Sequence, residues 1–541
     1  MAILLVIVHR VGRHHLRRPF VLTTTNALNH LYPAPAMNRL LSALILTLPL
    51  LLLTTANAED PAAKKATPPN VLFCIADDWG WPHAGAYAST EGDEVVKTPN
   101  FDKVAREGAL FHNAYISAPS CTPSRNAILT GQYHWRLDEG ANLYGSLRQD
   151  LESYPHLLRD AGYHIGHWRK SYGPGKLTGK WQQHHPAGRS SRGFGAFLES
   201  NKEDKPFCFW LGASDPHRGY KLHSGRDSGM DLDAIKLFPF FPDCEQIRGD
   251  VADYYFEVQR FDSDVGKALA LLEQKGLADN TIVVITGDHG MPFPRCKSNL
   301  YDSGARVPLA IRWPARVKPG QVFQNFVSTA DLAPTYLDAA ELNIPETMTG
   351  KSLLRALTGG GDGALRPYIL HGKERHVPSQ EAPDNGGYPS RAIRNHDYLM
   401  IRNYQTARWP NGTPNWDKAN IHGAWYADTD NGPTKSYIVD NKDKDEAHRQ
   451  AYDWCFGKRP AVELFDLKND PHQLVNIAEA AEHAAARKTL DALLSRDLAA
   501  SGDPRETAGA EVEFDEYSYG GGAPKFPGMK KAKTPKKPNK K

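Results

Sequence analysis

Three short stretches of the chain are apolar at nearly every position: Asn70–Ala76 (NVLFCIA), Pro206–Gly212 (PFCFWLG) and Thr281–Gly287 (TIVVITG). Runs this short, rich in β-branched and aromatic residues, read as strands buried on both faces, the pattern of a parallel sheet covered by helices. His164–His167 reads as a further strand. It follows a stretch with helical spacing, 151–162, that closes on Gly162. The run Gly359-Gly360-Gly361-Asp362-Gly363 reads as a flexible joint and domain boundary. Beyond it, Tyr398–Arg402 reads as a strand and 478–499 as a helix. The pattern predicts an α/β domain over 70–358 and a smaller C-terminal α+β subdomain over 364–500.

Each apolar run ends in chemistry. The first is followed by Asp77-Asp78, the second by Asp215-Pro216-His217-Arg218, the third by Asp288-His289-Gly290. Open α/β sheets bind ligands at the carboxyl ends of their strands. Two adjacent carboxylates there repel, so a cation between them is stabilising, and hard oxygen ligands suit calcium or magnesium. Taken alone, an Asp-Asp pair also reads as a helix cap or turn. His289 is less typical of a calcium site and tolerates magnesium or manganese. His217 is able to carry a proton near neutrality, although in isolation it also reads as a loop histidine.

A fourth stretch, Ser120-Cys121-Thr122-Pro123-Ser124-Arg125 through Thr130-Gly131, predicts a short helix. Pro123 suits its first turn and Gly131 its left-handed end. Cys121 then sits at the positive helix N-terminus with Arg125 one turn on, and both features favour an anion. Local chemistry alone favours a buried thiol beside a helix cap.

With 541 residues and 40% hydrophobic positions, the chain suits two or three globular domains and is not mainly disordered. Its six cysteines are too sparse for a disulfide scaffold and lack zinc-type pairing. The apolar run 40–53, preceded by Met37-Asn38-Arg39 and followed by Ala56-Asn57-Ala58, has the layout of a secretory signal peptide over 37–58, and is too short for a stable membrane span. Residues 1–36 then read as a misassigned upstream extension and 59–69 as a linker. The expected location is periplasmic or secreted.

The formal net charge is +3, but residues 1–36 hold four arginines and no acid, and 530–541 hold seven lysines, so the body between them is acidic. Residues 501–541 read as a disordered tail with a solvated Lys-rich end. No nucleic-acid motif is present.

Cys-x-Pro-x-Arg, four residues, then Thr-Gly closely resembles the signature of type I, formylglycine-dependent sulfatases. Other segments resemble the same family in the family's order: Asp77-Asp78, Thr98-Pro99-Asn100, Lys170, Asp288-His289-Gly290, Lys297 and Gly304-Ala305-Arg306-Val307-Pro308. Asp215-Pro216-His217-Arg218, and the Pro-Phe-Pro and Asn-Leu-Tyr flanking Lys297, are most like the heparan N-sulfatase (sulfamidase) branch. The resemblance runs from about Asn70 to about Glu479. It implies an alkaline phosphatase-like fold with a large mixed, mostly parallel sheet between helices. It also implies a divalent cation, calcium first, on Asp77, Asp78, Asp288, His289 and the oxidised Cys121.

In that family the cysteine becomes formylglycine through a formylglycine-generating enzyme. Arg125, Lys170, His217 and Lys297 take catalytic roles, and Tyr172 (in the place of a family histidine) and Arg218 are candidate substrate ligands. Arg375, His376, Arg391, Arg402 and Trp409 are further candidates for sugar contact. The substrate implied is a sulfated saccharide, N-sulfoglucosamine or an O-sulfated polysaccharide. A phosphoester or phosphonate hydrolase of the same superfamily and a non-catalytic binder of sulfated glycans are the alternatives.

Overall fold

The computed structural model describes residues 67–90, 92–507 and 513–529. The readings for 1–36 and 37–58, most of the 59–69 linker and the Lys-rich end lie outside the described residues. Among the described residues no helix is long and apolar enough to cross a membrane.

Eight strands form the main sheet: β1 (Asn70–Ala76), β2 (Ala109–Tyr115), β3 (His164–Arg169), β4 (Arg189–Ser190), β5 (Phe207–Gly212), β6 (Thr281–Gly287), β7 (Arg306–Arg312) and β8 (Gln321–Ser328). Their order is β4-β3-β5-β1-β6-β7-β2-β8. All run the same way except β7, which is antiparallel to both neighbours. The alternation of β1 shows why both faces are apolar. Val71, Phe73 and Ile75 enter one core, and Leu72, Cys74 and Ala76 enter the other. The first core takes residues of the helices Tyr154–Asp160 and Leu332–Ala339, the second those of Pro99–Glu107 and the long Glu245–Gln274. The result is a three-layer sandwich whose central strands are covered on both faces.

A second, antiparallel sheet follows, made of β9 (Tyr368–Lys373), β10 (Ser390–Asn395), β11 (Tyr398–Asn403) and β12 (Val462–Asp466), in the order β12-β11-β10-β9. Leu490, Leu494 and Leu498 of the helix Ala484–Ala500 cover one face, on Leu370, Ile393, Met400 and Leu464. The other face, Ala392, Leu399, Ile401 and Phe465, packs on Leu300 and Tyr301 of the first part.

Two expectations change. The glycine run at 359–363 is pinned rather than loose, because Asp362 Oδ1 accepts from the backbone N–H groups of Gln324 and Asn325, both at 2.8 Å. The tail beyond 501 is not wholly disordered, since Phe514 is buried, and Trp425 N–H donates to Pro524 O at 3.1 Å. Polar, glycine-rich composition marks that segment as disordered, but backbone hydrogen bonds and one phenyl ring hold it.

A buried ionic knot closes the second sheet. Arg391 bridges Glu374 (2.6 Å) and Asp503 (2.5 Å), and Arg505 donates to Glu374 at 2.6 Å. Burial pushes the Glu374 carboxyl up, but Arg391 and Arg505 outweigh it and hold it below its ordinary range. A carboxylate depressed on folding stabilises the fold above its unfolded pKa, and that contribution is lost as pH falls through the folded value. The melting temperature is therefore expected to fall from about pH 4.3, the ordinary Glu value, downward. Glu374→Gln should make that acid limb shallower in a series of melts against pH.

Candidate active site

Four neighbouring parallel strands, β3-β5-β1-β6, deliver their carboxyl ends to one sheet edge. Backbone pairing continues past the strands. Asp288 N–H donates to Ala76 O (3.2 Å), Asp77 N–H to Asp215 O (3.0 Å) and Lys170 N–H to Gly212 O (3.2 Å). The last contact requires glycine, as a Cβ on Gly212 would sit 1.6 Å from Lys170 O. Asp78 has φ 72°, a left-handed conformation that costs an L-residue, and its N–H is held by Asp288 Oδ1 at 2.9 Å.

The helix Cys121–Thr130 reaches the same edge and is buried along its whole length. Gly131 ends it at φ 65°, as the sequence predicts. Pro123 lies in the first turn, where its missing N–H has no intrahelical acceptor to lose.

Cys121 Sγ lies 3.3 Å from His289 Nε2 and 3.8 Å from Asp77 Oδ1. Burial pushes the thiol up to about 11, against the pull of Lys170 and Lys297. At neutral pH it is protonated, and a thiol is a weak nucleophile compared with a thiolate.

Arg125 ties the two acidic strand ends together. Its Nε donates to Asp288 Oδ2 (2.8 Å), its Nη2 lies 3.5 Å from Asp77 Oδ1, and its Nη1 donates to Lys170 O (2.7 Å). Lys170 Nζ contacts both oxygens of Asp77 at 2.5 and 2.6 Å. Lys297 Nζ contacts Asp78 Oδ2 and Asp430 Oδ2, each at 2.9 Å. His217 Nε2 stands 4.0 Å from Asp78 Oδ2, and its Nδ1 lies 2.7 Å from Arg218 O. The cluster thus brings together Asp77, Asp78, Cys121, Arg125, Lys170, His217, Asp288, His289 and Lys297.

Two candidates are not brought into it. Arg218 forms a bidentate pair with Asp250 (2.8 Å twice), donates to Pro292 O, and lies over the Phe293 ring. Three of its five N–H groups are used in holding the loop after β5 to the helix Glu245–Gln274. Tyr172 donates to Gly145 O at 2.5 Å while its ring packs beside the cluster that contains Leu147 and Trp181.

Among the further candidates, Arg391 and Arg402 are consumed in ion pairs and Arg375 in backbone carbonyls. The Trp409 ring lies under Lys458 Nζ at 4.1 Å. His376 comes nearest the site, with Nδ1 2.8 Å from Ser120 Oγ, one residue before Cys121. Asp430 is the site residue that the sequence reading missed. It lies in a turn-rich Asp428-Thr429-Asp430-Asn431-Gly432-Pro433 stretch that carries no strand signal.

The donors fit a divalent cation. One oxygen each of Asp77 and Asp78, Cys121 Sγ and one nitrogen of His289 lie within 4.8 Å of one another. His289 Nδ1 is 3.0 Å from Gly290 O, which assigns the proton to Nδ1 and leaves the Nε2 lone pair facing Asp78 Oδ1 (3.2 Å) and Asp288 Oδ1 (3.6 Å). Asp78 Oδ1 is buried and receives no hydrogen bond among the described residues. A buried carboxylate oxygen with no donor of its own, facing an imidazole lone pair, is stabilised by a metal ion.

A sulfatase family model matches residues 69–342, and a model described as N-sulphoglucosamine sulphohydrolase, C-terminal, matches 287–410. The chain belongs to the sulfatase family and is a sulfuric ester hydrolase with the alkaline phosphatase-like fold. It is 27% identical to an ulvan-active sulfatase of Formosa agariphila, covering 80% of this chain and 81% of that one. It is 29% identical to the Homo sapiens N-sulphoglucosamine sulphohydrolase, covering 76% and 86%. Among solved structures, a protein in complex with its substrate D-glucosamine-2-N,6-O-disulfate shares the fold at TM-score 0.54 and 21% identity, covering 82% of this chain and 100% of that one.

Proposed function

We propose that the protein releases sulfate from a sulfated carbohydrate, with N-sulfoglucosamine at a glycan end as its substrate. The observation that carries the reading is the convergence of Cys121, three carboxylates, His289 and two lysines on one sheet edge. The C-terminal family match and the human relative support the N-sulfated sugar. The ulvan-active relatives support a second reading, an O-sulfated polysaccharide. The leader pattern at Met37 supports action in the periplasm or outside the cell.

A sulfate ester or sulfamate is anionic and repels nucleophiles. Lys170 and Lys297 offset that charge from two sides. A divalent cation, calcium first, would be held by Asp77, Asp78, Asp288 and His289, where it would neutralise developing charge and lower the pKa of a bound hydroxyl. In this reading Cys121 is oxidised to formylglycine by a formylglycine-generating enzyme during maturation. The hydrate then has one hydroxyl to attack sulfur and a second whose collapse to the aldehyde expels sulfate. The high pKa of the unmodified thiol agrees with this, because Cys121 itself is poorly suited to attack. His217 keeps Nδ1 on Arg218 O, so its Nε2 is the atom that hands a proton to the departing amine or alcohol.

Sulfate release measured across a panel of N- and O-sulfated saccharides tests the substrate. The expected result is the highest kcat/KM on N-sulfoglucosamine. Preference for an O-sulfated sugar by tenfold or more would replace the first reading with the second.

A further inference from the structure

We infer that Asp430 is the residue that recognises the sugar next to the scissile sulfate, accepting a hydrogen bond from its neighbouring hydroxyl or N–H. The inference rests on the carbohydrate-sulfate reading above and adds to it the group that would choose among sugars.

Asp430 is built into place. The segment 425–431 is fixed from behind by Lys435, a fully buried lysine whose Nζ shares its N–H groups among Trp425 O (2.8 Å), Tyr426 O (3.0 Å), Thr429 O (2.7 Å) and Asn431 Oδ1 (3.0 Å). Asp428 fixes it again, pairing with Lys373 at 2.7 Å and accepting Val377 N–H at 2.9 Å. So much buried polar bonding to one irregular segment is costly unless every member is satisfied, and here the lysine finds four acceptors. What the segment presents is the Asp430 carboxylate. Its oxygen, one nitrogen of His217 and one oxygen of Asp78 lie within 4.8 Å of one another.

The site has two layers. Asp78, Asp288 and Arg125 have fully buried side chains, and Asp77 is 4% exposed. Above them the side chains of Lys170 (20% exposed), His217 (38%) and Asp430 (21%) form the open face. Two of these three suit a sulfate and its leaving group. The third is an anion and repels sulfate. Lys297 is shared between Asp78 and Asp430, each at 2.9 Å. Asp430 gives only Oδ2 to Lys297, and its Oδ1 receives no hydrogen bond among the described residues. A carboxylate retained at an anion site, with one oxygen uncommitted on the open face, suits a hydrogen-bond donor on the part of the substrate that is not sulfate.

The test separates sugar from sulfate. Wild type, Asp430→Asn and Asp430→Ala are compared for kcat/KM on the saccharide turned over fastest in the panel, and for the inhibition constant of inorganic sulfate. Asn keeps the volume, but with its oxygen on Lys297 its amide turns a donor toward the sugar donor. The expected result is a fall in kcat/KM of about 10- to 100-fold, the size of a lost charge-assisted hydrogen bond, with sulfate inhibition unchanged or tighter because a repelling charge has gone. An equal weakening of sulfate in both variants overturns the inference and makes Asp430 a support for Lys297. Unchanged kcat/KM also overturns it. A wild type that turns over no sugar sinks both this inference and the carbohydrate reading, whereas the other two outcomes sink this inference alone.

Discussion

Cys121→Ala is expected to abolish sulfate release, by about 10⁴-fold or more, as removal of a nucleophile does in other hydrolases, while the protein still folds. The side chain is small, 2% exposed, and its polar contacts are to His289 and Asp77. It makes no ion pair that holds the helix, whose burial rests on neighbours such as Ile128 and Leu129 in the core. Alanine also suits a helix better than cysteine. Melting and circular dichroism should therefore change little while activity disappears. Cys121→Ser should fail as well wherever the maturation enzyme accepts only cysteine. Wild-type-like sulfate release from Cys121→Ala would contradict the assigned role.

Removal of divalent cations is expected to abolish activity and to lower the melting temperature, with calcium restoring both. The stability readout follows from linkage. An ion that binds the folded state alone adds about 2.7 kcal/mol at a hundredfold excess over its Kd, which is a shift of several degrees. Asp78→Asn should lose most of that response, because Asp78 Oδ1 is the buried acceptor that no described donor satisfies. Thermal melts of wild type and Asp78→Asn, with chelator and with added calcium, magnesium or manganese, measure the effect and rank the ions. An equal calcium shift in both proteins would move the cation away from this cradle.

Much of the site was readable in the chain because it sits where apolar runs stop. β1 and β6 have the bounds that their hydrophobic patterns predict, Asn70–Ala76 and Thr281–Gly287, so Asp77, Asp78, Asp288 and His289 were placed at strand ends from sequence. The helix read over 151–162 is shorter, Tyr154–Asp160, because Ser153 stays extended ahead of Pro155. The strand order β3-β5-β1-β6 is set by pairing between residues far apart in the chain, which no local pattern contains.

The same distance hides Asp430. It is 133 residues from Lys297, in a stretch whose residues signal only a turn. The partner of Arg218 is out of local reach in the same way: Asp250 lies on a helix 32 residues on. Tyr172 shows the limit of position matching, since standing at a family position did not bring its hydroxyl to the cluster.

The central claim is that Cys121 is the precursor of the reacting group. Mass spectrometry of the tryptic peptide containing Cys121, taken from protein that releases sulfate, tests it most directly. Active protein is expected to carry an aldehyde in place of the thiol, with activity proportional to the modified fraction across preparations. Full sulfate release from protein whose Cys121 peptide retains the intact thiol would contradict it.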